Sequence, residues 1–167
     1  MLAQLEQNGR LDAGFLLNTF SPSWIVFAAA LQSDGSVVVA GFNQLARYFA
    51  NGVPDYEGFG GSGGSGIAQI GPAGSDIRFN SVAIQADGRI VAAGSTVVAA
   101  TNRIVVARLT PAGDLDVTFG TGGLTITPVG SWATGYATVV QPDGRILVAG
   151  GATTTEDDFA MARYWGL

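Results

Sequence analysis

The sequence predicts an all-β fold built from three tandem four-stranded units, and three observations carry that prediction. A phrase of 12 residues occurs three times: ALQSDGSVVVAG from Ala30, AIQADGRIVAAG from Ala83 and VVQPDGRILVAG from Val139. A second phrase follows each copy: LARYFANGVPD from Leu45, VARLTPAGDLD from Val106, and the shorter MARYWGL from Met161. No stretch carries the apolar spacing of an amphipathic helix.

The first phrase reads as a hairpin. Gln32, Gln85 and Gln141 fix the register of the copies, at steps of 53 and 56 residues. Each glutamine precedes a turn: Ser33-Asp34-Gly35, Ala86-Asp87-Gly88 and Pro142-Asp143-Gly144. Proline presets φ at the first corner, aspartate suits the second, and glycine accepts the left-handed conformation. A type I turn followed by such a glycine closes a three-residue hairpin loop. The flanks, such as Val82-Ala83-Ile84 before the loop and Ile90-Val91-Ala92 after it, are apolar runs rather than alternations. Runs of that kind suit strands covered on both faces. Gly41, Gly94 and Gly150 are expected to end the second strand of each pair.

The second phrase reads as a third strand, a glycine-containing turn and an aspartate. The central copy continues through Phe119-Gly120 into Leu124-Thr125-Ile126-Thr127, where alternation predicts a fourth strand. A further copy, LAQLEQNGRLD from Leu2, opens the chain. Four-stranded units at this period have the pattern of propeller blades, whose faces are buried only by stacked neighbours.

The phrases LQPDGRI(L/V)AG and A(L/M)ARY…DG.LD..FG.GG, matched best over Val105–Gly123 and Val139–Gly150, resemble the delta-60 repeat family of bacterial propeller-like repeats. The resemblance implies a propeller or propeller-like array, often within large secreted or surface proteins, and it implies no catalytic residues. The expected organisation is one repeat domain over residues 1–167, with approximate repeats 1–48, 49–109 and 110–167. Three units are too few to close a ring. An open array with exposed sheet faces or edges at each end is therefore expected. It would be completed by self-association, most simply as a two-fold dimer, or within a larger complex.

Composition narrows the function. The chain is 47% apolar and 13% charged, the reverse of a disordered segment. At 167 residues it can bury roughly 70% of its unfolded surface in one domain. Net charge is −5, and the 8 basic residues are all arginine, a poor match to a phosphate backbone, so no nucleic-acid partner is expected. With no cysteine and no histidine, thiolate sites and the commonest general base and metal ligand are missing. No cofactor and no metal are expected. No transmembrane segment is expected either, because no apolar run approaches ~20 residues. The N-terminal stretch lacks the basic-then-apolar pattern of a signal peptide. Either a leader has been removed or the chain stays inside the cell; the resemblance favours an extracellular or cell-surface place.

Candidate sites each have a structural reading beside the functional one. Arg47, Arg108 and Arg163 recur in the third strand, and repeats reuse packing solutions. They are read as partners of a nearby aspartate or of turn carbonyls, ahead of an anion site. Asp34, Asp87 and Asp143, with Gly35, Gly88 and Gly144, are read as turn residues ahead of calcium ligands. Asp114/Asp116 and Asp55/Glu57 are treated likewise. Gly61, Gly63 and Gly66 spell GxGxxG, but Gly71, Pro72 and Gly74 follow where a dinucleotide site needs a helix. Trp24 and Trp132 precede the first strand of their copies, with Ile77 in that place in the middle copy. They are read as packing between units, or as an aromatic platform for a glycan or partner protein. Trp165 is read in the same two ways, as packing or as an anchor of the terminal strand against a partner. Glu156-Asp157-Asp158, in a long connection, are the one candidate for a carboxylate-based hydrolase, and no spacing supports it. The expected function is non-enzymatic and structural; a carbohydrate-binding propeller is the alternative.

Overall fold

The computed structural model describes residues 5–10, 12, 25–61, 65–71 and 75–166. These contain eleven strands and no helix, hence none long and apolar enough to cross a membrane. The strands are β1 (Val26–Leu31), β2 (Val37–Gly41), β3 (Gln44–Tyr48), β4 (Ile67–Gln69), β5 (Ile77–Ile84), β6 (Ile90–Val98), β7 (Thr101–Leu109), β8 (Leu124–Thr127), β9 (Trp132–Val140), β10 (Ile146–Thr153) and β11 (Asp157–Tyr164). They form three antiparallel meanders ordered β1-β2-β3-β4, β5-β6-β7-β8 and β9-β10-β11. The first strand of each sheet packs beside the first strand of the next. This is an unclosed row of propeller-like blades, two of four strands and one of three among the described residues.

The blades do not follow the repeat cuts at 48/49 and 109/110. β4 pairs with β3 through Leu45–Ala68, and β8 pairs with β7 through Val105–Ile126, so each sheet takes in a strand beyond its cut. The sequence phrase marks three strands strongly, and the fourth is short.

All three hairpin loops have the expected turn. Gly35, Gly88 and Gly144 hold φ of 85°, 84° and 81°. Their amides donate to the carbonyls of Gln32, Gln85 and Gln141, and each glutamine amide donates to the residue after its glycine.

The middle blade explains the unbroken apolar runs. Ile90 and Ala92 of β6 face the first blade, in a core with Val38, Leu45 and Phe79. Val91 and Ala93 face the third, in a core with Ile146 and Val148. Each isoleucine or valine so buried contributes about 1.5–3 kcal/mol relative to exposure.

The ends of the row differ from each other, contrary to the expected exposure at both. The first blade exposes Leu31 but buries Val39, Ala46 and Tyr48 in a cluster with Val37 and Ile67 packed against it. The third blade is open. Across its outer face, Val139, Leu147 and Arg163 align, as do Ala149 with Met161 and Gly151 with Phe159. Phe159 is 87% exposed, Met161 65% and Val139 54%.

Two further expectations are corrected. Gly94 and Gly150 do not end strands: β6 and β10 run on to Val98 and Thr153. Each glycine lies opposite a β-bulge on the neighbouring strand, where the backbones approach too closely for a side chain. The stretch carrying Glu156-Asp157-Asp158 is a strand hairpin rather than a long loop, because β10 and β11 pair out to Thr153↔Asp157.

Candidate functional site

Two of the three recurring arginines, Arg47 and Arg108, form clamps between blades. Arg47 on β3 donates from Nε and Nη2 to Asp55 Oδ2 at 2.8 and 2.5 Å, and from Nη2 to the Gly58 carbonyl at 2.9 Å. Its Nη1 crosses to the middle blade and donates to the Pro111 carbonyl at 2.6 Å. Arg108 on β7 repeats the pattern. It donates to Asp116 Oδ2 at 2.9 Å and Thr118 Oγ1 at 3.1 Å, and crosses to the Gly166 carbonyl of the third blade at 2.5 Å. Pro111 and Gly166 occupy the same place in their copies, three residues after the arginine. Both guanidiniums lie over an aromatic ring, Phe59 at 4.9 Å and Phe119 at 4.8 Å. Gln85 adds to the second clamp: its Nε2 donates to the carbonyls of Gly144 and Gly166 at 3.4 and 3.3 Å.

Arg163 on β11 holds the third position of this series. It is exposed, and among the described residues it has neither an aspartate nor a carbonyl partner. The same feature that fixes each blade to the next is thus presented outward on the open apolar face.

Asp116 is the most perturbed carboxylate. The Thr118 hydroxyl and amide, then Arg108 and Arg89, hold it at about 2, below the usual carboxylate range, and burial opposes them. A folded-state pKa below the unfolded value gives stability that is present above about pH 4 and lost as pH falls toward 2. Urea midpoints at about pH 5 and about pH 2.5 should therefore show the margin of the wild type over Asp116→Asn shrinking in acid.

The turn aspartates serve their own turns. Asp34, Asp87 and Asp143 accept the amides of Ser36, Arg89 and Arg145 at 2.8, 3.0 and 3.1 Å. The Ser36 amide holds Asp34 below the usual carboxylate range. Asp87 pairs with Arg89, and Asp143 with Arg145 at 2.7 Å. Among the described residues no three His, Cys, Asp or Glu gather as a cation site. Gly66 leads directly into β4 rather than a helix. Glu156, Asp157 and Asp158 are exposed, and Asp157 accepts the Thr153 hydroxyl at 2.6 Å.

The tryptophans separate. Trp24 lies outside the described residues. Trp132 opens β9 instead of preceding it, and is half-buried in a cleft with Phe27, Arg78, Asn80 and Tyr136. Trp165 is exposed, with the Arg145 guanidinium 4.5 Å from its ring centre.

Sequence reasoning did not find the bulges that build this cleft. Its signal was the polar pair Arg78 and Asn80 within the otherwise apolar start of β5.

No curated protein matches the chain. Residues 32–57, 85–119 and 141–165 match the family described as a domain of unknown function (DUF5122) beta-propeller. Each segment runs from the loop glutamine through the clamp arginine, and together they cover more than half the chain, which therefore belongs to this beta-propeller family.

Proposed function

We propose that the chain is a non-enzymatic structural repeat subunit that supplies rigid surface to an oligomer, filament or larger complex. One observation carries this reading: Arg163 stands on an open apolar sheet face in the place where Arg47 and Arg108 each bind the next blade. Exposed apolar faces rimmed by polar residues are a feature of docking surfaces, which supports this reading. The delta-60 resemblance of the repeated phrases belongs to the same reading, as do self-association and membership of a larger complex.

Sedimentation equilibrium across concentration tests it. The wild type should gain mass as concentration rises. Phe159→Asp should weaken association by about tenfold or more, since burying a phenylalanine contributes about 1.5–3 kcal/mol. A wild-type chain that stays a single copy throughout overturns self-association.

A further inference from the structure

The three blades share an irregularity at the end opposite the hairpin loops. Register slips once in the first strand of each sheet, between Val26/Ala28, between Phe79/Ser81, and opposite Ala149/Gly150. The extra residues are Phe27, Asn80 and Tyr136. A bulge re-aims the side chain it carries. All three line one cleft of about 420 Å³, together with Arg78, Asn102 and Trp132.

The loop glutamine, the Asp-Gly turn and the third-strand arginine recur in every copy. The bulge positions do not repeat. They hold phenylalanine, asparagine and tyrosine, so the cleft they share is lined by one polar and two aromatic side chains.

The chemistry of the lining defines that ligand. Arg78 lies with its guanidinium 4.0 Å from the Phe27 ring centre, and Phe27 is braced edge-on by Phe42 at 5.1 Å. A guanidinium stacked this way keeps its in-plane N–H fork for a planar anion. Arg78 is exposed, and among the described residues its side chain has no hydrogen bond or ion pair. The Asn80 amide nitrogen donates to the Gly135 carbonyl at 2.9 Å, which leaves its oxygen as an acceptor. Tyr136 is 56% exposed and Trp132 half-buried, so both offer ring surface. We propose that this cleft binds a carboxylate-bearing sugar, with Arg78 on the carboxylate, Asn80 and Asn102 on hydroxyls, and Tyr136 and Trp132 against the ring.

Calorimetry on the full chain, with a galacturonic acid oligomer and a neutral galactose oligomer as probes, tests the assignment. The acidic oligomer should bind and the neutral one more weakly. Arg78→Gln should lower affinity for the acidic probe by about tenfold or more while barely changing the neutral one. Tyr136→Ala, at an exposed position, should weaken both probes. Unchanged thermal melts will show that both variants are folded. No heat with the acidic oligomer, equal binding of the two probes, or indifference to Arg78→Gln would each overturn it. None of these results depends on the mass measurements that test assembly.

Discussion

Arg108→Gln should lower the stability of the chain by about 3 kcal/mol or more, because removing one partner of a buried ion pair leaves the other charge uncompensated. Arg108 is 2% exposed and joins Asp116, Thr118 and the Gly166 carbonyl, so one side chain ties β7 to its own turn and to the third blade. Arg89 also reaches Asp116, at 2.9 Å, which tempers the loss without restoring the bond between blades. Arg163→Gln is the matched control. The same residue type on an exposed strand should cost within about 0.5 kcal/mol in the single chain. Urea midpoints of the two variants measure the difference. A shift for Arg108→Gln no larger than that for Arg163→Gln would mean the clamp does not hold the blades together.

Gly94→Ala should be nearly as damaging, at about 3 kcal/mol. A Cβ at Gly94 would lie 1.8 Å from the Arg78 carbonyl oxygen and 2.9 Å from the Phe79 Cα. Both are backbone atoms of a paired strand, so the sheet must open at the bulge to admit the methyl. Gly150 is the counterpart, with the Thr134 carbonyl oxygen at 1.9 Å. Gly122→Ala separates crowding from backbone strain. It has nothing within 4 Å and φ of +61°, so only the left-handed conformation is penalised, at about 1 kcal/mol. Thermal unfolding of the three variants should rank Gly122→Ala as the mildest; equal losses would remove the close approach as the cause.

The hairpin loops were legible in the sequence because their chemistry is local. Ser33-Asp34-Gly35 and its two counterparts need only the residues on either side to set their shape. For Arg47 and Arg108, though not for the exposed Arg163, the kind of partner was legible: an aspartate and a turn carbonyl. The identity of the crossing carbonyls was not, because 64 residues separate Arg47 from Pro111 and 58 separate Arg108 from Gly166. The bulges at Phe27, Asn80 and Tyr136 escaped because an extra residue on one strand is defined only against its partner. Gly94 and Gly150 misled for the same reason: glycine reads as a strand end, and only the opposed bulge makes it a point of close approach. Trp132 lines a cleft with residues of three sheets, Phe27, Arg78, Asn80 and Tyr136 among them, a grouping that no single stretch of sequence displays.

The arginine donors all reach in one direction, from an earlier blade to the following one. A contact that copies them joins unlike surfaces, so a symmetric pair related by a two-fold axis cannot form through it. Growth by that contact is vectorial. It terminates only if the angle between successive blades divides a full circle, and otherwise continues as a helical thread with distinguishable ends.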